Sequence, residues 1–538
     1  MRLLRLKIES ASTCGGLLDG VAIDFGRHDT QAENEHIAPL CLLGPNGSGK
    51  SQFLQLLAEI FQASWHAHDS RQERASSNAE ALFELEYLIR PTQDALPVKV
   101  KLSRTMKGKT VGEIELHLQE NGSETLVEQK SAEFGAYLPK LIVGYTSGDN
   151  ETMSLPFLVS RSGYAKEVAT VALSNAKISI VPPDNRLLLI DYSTNLEVLF
   201  SNMMLGKPKV REAVLEHARL RDISSCRCIV RLAHSAAPKA QPSQKKKSGR
   251  KGIQLTPELE LTLDRLKRAA TCWIVDPKTE TYTFDYLVDD ASRAAFKHFF
   301  GNALDLYRAL HKFTLLNDLA ISKKSRERMD RAVKERRFAS RLPEPQQEDM
   351  VFSFEEVRFH PEERGTKSEP VDYVALSDGE HQQSLILGAF AMITDHNVLF
   401  LLDEPESHFN PQWRVQFVKR LLDLPVERGE QDVLLTSHAP FVPADMSKEQ
   451  VMIFSRLEGK LSVREPEIET YGANFDRILE HCFNIRPPIS QIARDDISDL
   501  MVSENIEELT LAMERLGSSV EKSFVADRLR QLKIRADS

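Results

Sequence analysis

Residues 44–51, Gly44-Pro45-Asn46-Gly47-Ser48-Gly49-Lys50-Ser51, constrain this chain more than any other stretch. They fit G-x-x-x-x-G-K-[ST], between the apolar run Ile37 to Leu43 and an amphipathic stretch carrying Phe53, Leu54, Leu56, Leu57 and Ile60. A glycine-rich turn from strand to helix lets backbone N–H groups wrap phosphates, and the helix N-terminus favours their charge. Gly44, Pro45, Asn46, Gly47, Ser48, Gly49, Lys50, Ser51 and Gln52 are thus the candidate nucleotide-binding residues. Lys50 is expected to reach the β- and γ-phosphates of ATP, and Ser51 to ligate Mg²⁺.

Around this loop the pattern is that of an α/β chain. Leu3 to Ile8 and Val21 to Phe25 read as strands before the loop, and residues 80–120 alternate as in an antiparallel sheet with one wet face. After Leu141 to Tyr145 the pattern turns mostly helical, and from about 185 to 340 the one expected exception is a hairpin at Thr271 to Val288. Val351 to Phe359, Val398 to Leu402 and Val433 to Thr436 return the chain to strands, the last two of the buried parallel kind. The expected division is a first nucleotide-binding half at 1–150, a mainly helical insertion at 151–345, a second half at 346–470 and a helical segment at 471–538.

Leu399-Phe400-Leu401-Leu402-Asp403-Glu404-Pro405 is an apolar strand ending in two carboxylates. Asp403 is the candidate metal ligand beside Ser51, and Glu404 the candidate for polarising an attacking water. Leu376-Ser377-Asp378-Gly379-Glu380-His381-Gln382-Gln383 begins 27 residues before Asp403 and reads as a helix start, where a hydroxyl and free N–H groups can meet a phosphate. Alone, that segment is an ordinary helix cap. In order between the two other motifs it resembles the signature of ABC-type ATPases. The resemblance extends to Glu406-Ser407-His408-Phe409-Asn410-Pro411, similar to the D-loop, and to His438 in Leu434-Leu435-Thr436-Ser437-His438, similar to the switch histidine.

The ABC resemblance implies a P-loop ATPase whose nucleotide-binding domain is split by the insertion. It implies Glu404 and His438 as catalytic residues, the latter contacting the γ-phosphate, and a dimer in which Ser377, Asp378, Gly379 and Glu380 of one protomer cap ATP held by the other. His408 has an interface or catalytic reading and a structural one. The glutamine-loop residue of the family is not assigned.

Lys50 and Asp403 are 353 residues apart, a wider gap than in transporter ATPases and one that resembles SMC-like, RecF-like and overcoming-lysogenization-defect-type ATPases. The insertion carries no sustained heptads, which argues against a long coiled-coil arm. The run from Asp403 to Pro411, Tyr145 to Glu151 and Tyr471 to Phe475 resemble the AAA-21-type ATPases of bacterial defence systems, in particular the Septu (PtuA) type and its retron-associated form. That resemblance covers 1–150 and 350–480. It implies an antiphage, toxin-antitoxin-like complex in which this ATPase regulates a separate HNH nuclease (PtuB-like). In the retron form a reverse transcriptase and its multicopy single-stranded DNA join it. Two departures bear on the hydrolysis rate: Asp378 replaces the first of two signature glycines, and Asn410 stands where many relatives have histidine. The alternative is a DNA-repair or chromosome-maintenance ATPase of the SMC and RecF kind. No strand-borne acidic cluster follows His438, so no nuclease is expected in this chain.

Net charge of −9 gives no global attraction for nucleic acid, so such contact needs a local patch. Two places qualify: the basic run Lys323 to Arg341 and the loop Lys245 to Lys251, within a Pro-, Ser- and Lys-rich stretch expected to be mobile. Their other reading is a solvated helix face and a flexible linker. No apolar run is long enough to span a bilayer, and the six cysteines form no zinc or CxxC pattern, with Cys226 and Cys228 read as two cysteines on one strand and not as a metal or redox pair, so a reduced, cytoplasmic protein is expected. Ile492, Ile497, Leu500 and Met501 sit at near-helical spacing and fit either a partner-binding helix or core, with core preferred.

Overall fold

The computed structural model describes residues 1–26, 37–71, 73, 80–120, 122–148, 151–173, 184–191, 194–234, 252–335, 345–362, 369–457, 459–486 and 489–537. A seven-stranded sheet forms the middle of the molecule. Across it lie Leu187–Ile190, Leu141–Thr146, Val398–Asp403, Gln431–Ser437, Ile37–Leu43, Val451–Leu457 and Lys460–Arg464. Neighbours are parallel except the final pair, which is an antiparallel edge.

The apolar continuity of these strands follows from their having two buried faces. Successive side chains alternate between two cores: Leu40, Leu42, Leu399, Leu401 and Leu434 enter one, while Cys41, Leu43, Phe400, Leu402 and Leu435 enter the other. On the first side lies helix Lys50–His68, buried nearly all round between the central sheet and a six-stranded antiparallel outer sheet. The outer sheet contains Arg2–Ser10, Leu82–Ile89, Val98–Arg104 and Glu115–Glu120, and the burial of Leu82–Ile89 alternates as a one-sided sheet requires.

On the other side lie helices Asp378–Met392 and Asn195–Leu205 and a second antiparallel sheet of five strands. Helices dominate residues 151–335 by length, but this sheet organises them, which the helical pattern did not predict. Its middle strand is Leu220–Arg231, flanked by Thr281–Leu287 on one side and Phe352–Pro361 on the other. The expected hairpin is present as Cys272–Asp276 and Thr281–Leu287. Phe352–Pro361, expected to rejoin a sheet, pairs with Leu220–Arg231. Cys226 and Cys228 do lie on one strand, as expected, but the full length of Leu220–Arg231 is masked because three register irregularities along that pairing break its period of two. Phe200, Tyr286, Phe296 and Phe354 join the sheet to its helices, with ring centroids 5.1–5.8 Å apart. Leu187–Ile190 pairs with Leu141–Thr146 in the central sheet.

Helices Gln491–Val502, Ile506–Arg515 and Val520–Asp537 close on a small core of Ile497, Leu509 and Val525. The preference for core therefore holds for Ile497 and fails for Ile492 and Met501, which are 78% and 44% exposed. Among the described residues no helix is long and apolar enough to cross a membrane.

Candidate functional site

Strands Ile37–Leu43, Val398–Asp403 and Gln431–Ser437 end together, and the next residues form the site. Gln431–Ser437 lies between the other two, so Ser437 pairs with Leu43 and Leu402 with Leu435. Residues hundreds apart in sequence thus meet at one sheet edge, the carboxyl end of a parallel sheet where ligands of α/β proteins bind.

The loop from Gly44 to Gly49 turns on left-handed glycines. Gly44 has φ 148° and its missing Cβ would lie 2.2 Å from the Phe454 carbonyl oxygen; Gly49, φ 97°, caps helix Lys50–His68. Such a turn excludes side chains from its concave side, as a phosphate cradle must. Pro45, Asn46 and Gly47 are exposed, whereas Ser48 and Lys50 are buried. The Lys50 ammonium donates to Gly44 O at 2.9 Å and Pro45 O at 3.2 Å and lies 3.3 Å from His438 Nε2. Burial pulls its pKa down to about 8, against the opposing pull of Glu404 and Asp403. Gln52 follows on the helix, with its carbonyl 3.9 Å from the Cys14 thiol.

The expected metal ligands come together: Ser51 Oγ donates to Asp403 Oδ1 at 3.1 Å. A hydroxyl and a buried carboxylate at this separation suit Mg²⁺, which takes few protein ligands and keeps water and phosphate oxygens for the rest. Among the described residues no group of three or more His, Cys, Asp or Glu side chains is placed to hold a metal. Asp403 is 3% exposed, and burial raises its pKa against hydrogen bonds from Thr436 and Ser51.

Glu404 accepts from His438 Nε2 at 2.6 Å, and this bond leads the causes that lower its pKa. Its backbone is left-handed, φ 49°, a conformation costing a non-glycine residue roughly 1–2 kcal/mol. Such strain persists where surrounding structure over-determines it. Here Thr436 does so. Its fully buried hydroxyl donates to Asp403 Oδ1 at 2.7 Å and accepts from the Glu404 N–H at 2.9 Å. Sequence reading gave Thr436 no role, although a hydroxyl after Val433, Leu434 and Leu435 in a strand with two buried faces was a usable signal.

Behind this shell Glu406 is buried and accepts from Ser437 Oγ. Burial lifts its pKa to about 7. Arg414 donates to Ser407 O and Phe409 O, and Asn410 caps helix Pro411–Leu422 by accepting from Trp413 N at 2.9 Å. His408 is exposed.

Ser377, Asp378, Gly379 and Glu380 form a second locus. Ser377 and Glu380 make a reciprocal capping box at the start of helix Asp378–Met392, with Glu380 Oε2 accepting from Ser377 N and Oγ at 2.8 Å. Ser377 and Asp378 are exposed. Gly379 is needed for close approach, since a Cβ there would lie 2.8 Å from His408 O. Gln382 ties the helix to the Tyr145 to Glu151 segment by donating to Ser147 O at 3.1 Å. Asp149 and Asn150 of that segment lie outside the described residues.

No protein-family model matches the chain, and no curated protein matches it. Solved structures to which it is similar include SMC heads. One is an SMC head bound to the C-terminal winged-helix domain of ScpA, at 11% identity over 86% of this chain and 98% of that one, TM-score 0.31. Another is an SMC head with extended coiled coil bound to the C-terminal domain of ScpA, derived from Pyrococcus furiosus, at 12% identity over 86% and 96%, TM-score 0.29. A third is the SMC head domain from Thermotoga maritima, at 13% identity over 87% and 100%, TM-score 0.31.

Of the basic run, helix Lys323–Lys334 is described, with Lys323 paired to Glu327 and Arg326 donating to the carbonyls of Asp318 and Leu319. Arg336, Arg337 and Arg341, and the loop Lys245 to Lys251, lie outside the described residues.

Proposed function

We propose that this chain is an ATP-binding and ATP-hydrolysing enzyme of the ABC type, acting as a dimer that holds ATP between the phosphate loop of one protomer and Ser377 to Glu380 of the other. The observation that carries this is the meeting of Lys50, Ser51, Asp403, Glu404 and His438 at one sheet edge, while Ser377 and Asp378 are exposed at a capped helix start. Lys50 and the loop amides would bind the phosphates, Ser51 and Asp403 would hold Mg²⁺, and His438 would orient Glu404 toward the attacking water. Mg²⁺, when bound, neutralises charge between the β- and γ-phosphates. Glu404→Gln keeps the shape of the site and removes the base, so ATP should drive this variant into dimers in sedimentation velocity. Failure to associate would refute the sandwich.

The finer reading is a Septu-type defence ATPase that governs a separate HNH nuclease by nucleotide state, with nucleic acid held by the insertion and, in a retron form, a reverse transcriptase and its DNA attached. It rests on the form of the Asp403 to Pro411 run and on the insertion's architecture: its helices among the described residues run to 13 residues at most and pack on a sheet, unlike an extended clamp arm. In this reading the chain is cytoplasmic, cuts nothing itself, and divides near 150, 345 and 470. Affinity capture with mass spectrometry of the bound chains tests it: an HNH protein supports the defence role, and recovery of DNA-maintenance subunits instead overturns it in favour of the SMC and RecF kind.

A further inference from the structure

We propose that His217, in the insertion, is a positioning residue for the ATP bound to the partner protomer, because it fixes the helix start that carries Ser377. The proposal rests on the sandwich reading above. His217 lies in the short turn Glu216–Ala218, just before strand Leu220–Arg231, and is 7% exposed. Its Nε2 is 2.9 Å from the carbonyl oxygen of Glu380 and 3.1 Å from Ser384 Oγ. A carbonyl only accepts, so Nε2 carries the hydrogen. Nδ1 is then the bare nitrogen of a neutral ring, and it has no hydrogen-bond partner. Burial lowers the ring's pKa to about 4, which keeps this donor arrangement intact at neutral pH.

The residue His217 grips is the one that orients Ser377. The Glu380 side chain receives both the N–H and the hydroxyl of Ser377 at 2.8 Å, so the insertion, Glu380 and the Ser377 hydroxyl form one hydrogen-bonded chain. The same first turn is also pressed by the loop after Glu404 and the helix that follows it: a Cβ at Gly379 would meet His408 O at 2.8 Å and the Trp413 ring at 3.3 Å. Trp413 also stands edge-on to the His217 ring, with centroids 5.7 Å apart. One turn of helix is thus clamped between the insertion and the loop that follows the hydrolytic glutamate. A second tie, Asn202 Nδ2 to Gly388 O at 2.9 Å, holds the same helix to the insertion farther along. Whatever moves the insertion therefore moves Ser377, and through it the nucleotide of the other protomer.

Mixed dimers test this, because a clamp on the signature acts in trans and a general folding defect does not. In one dimer a His217→Leu chain supplies the only working phosphate loop and a Lys50→Ala chain supplies an intact helix start. In the other a wild-type chain supplies the only working loop and a Lys50→Ala, His217→Leu chain supplies the altered helix start. The second should show a KM for ATP raised about tenfold, the scale of one hydrogen bond, while the first matches a Lys50→Ala and wild-type dimer. His217→Gln, which keeps an N–H donor at similar reach, should restore the second. Equal behaviour of the two dimers, whether both impaired or both normal, overturns the proposal. If the Glu404→Gln chain itself fails to associate with ATP, the sandwich reading falls and the proposal falls with it.

Discussion

Replacing Thr436 by valine should release the Asp403 carboxylate from the Glu404 backbone, which its hydroxyl now joins. Valine preserves shape and removes a donor to the buried Asp403 and an acceptor for the Glu404 N–H. The bond to an ionised carboxylate is worth about 1.5–3 kcal/mol, and an amide left unpaired in a dry site costs about 1–3 kcal/mol. The expected loss is thus about 2.5–6 kcal/mol, a large part of the roughly 5–15 kcal/mol that holds a domain together. Glu404 would also lose the contact that maintains its left-handed backbone, φ 49°, and swing away from the attacking water. A misplacement near 1 Å lowers rates about 10²-fold. Urea unfolding followed by tryptophan fluorescence measures the first effect, with Trp65 buried between the central and outer sheets as a reporter. Single-turnover ATP hydrolysis measures the second. Thr436→Ser, which keeps the hydroxyl and loses one methyl, should cost about 1 kcal/mol and retain most of the rate. If the valine variant unfolds and hydrolyses ATP like the serine variant, the hydroxyl does not hold Asp403 and the Glu404 backbone together and the account of Glu404 is wrong.

Three more outcomes are expected. Glu406→Gln should stabilise the protein at pH 8 and not at pH 4.5. The folded pKa near 7 exceeds the ordinary 4.5, so wild-type stability is full below 4.5 and falls as pH rises through 7, by at most about 3 kcal/mol; a pH-independent difference in urea midpoint would contradict this. Gly44→Ala should abolish ATP binding in equilibrium dialysis, because the new methyl would lie 2.2 Å from Phe454 O at φ 148°; binding within tenfold of wild type would show that the loop yields. Charge reversal at Arg331, Lys334 and Arg337 should weaken retention of nucleic acid and flatten its salt dependence; unchanged binding at low salt would leave the run a solvated helix.

Two local features were legible in the sequence. Gly44 to Ser51 do form a glycine turn into a helix, and Ser377 and Glu380 do form a capping box, because both depend on residues within a few positions. Val398–Asp403 and Gln431–Ser437 are apolar because both faces are covered, and that pattern survives in any order of strands. The order itself left no local trace: Cys41 lies beside Leu435, and Cys228 beside Phe354, through pairings that span well over a hundred residues. The hairpin and the strand Phe352–Pro361 of the insertion's sheet were legible, but their union was not, because bulges in the middle strand Leu220–Arg231 cancel the alternation that marks a strand.

The amino-acid sequence alone determined the chemistry available to this protein, since loop, carboxylates, helix start and histidine are named by residue type and spacing. Only the tertiary structure decided how they act together. It set Thr436 between Asp403 and Glu404, forced Glu404 into a left-handed backbone, and brought His217 under Glu380. Each depends on a hydrogen bond between groups remote in the chain, whose worth comes from shared burial, and burial belongs to the packed molecule and not to any one segment.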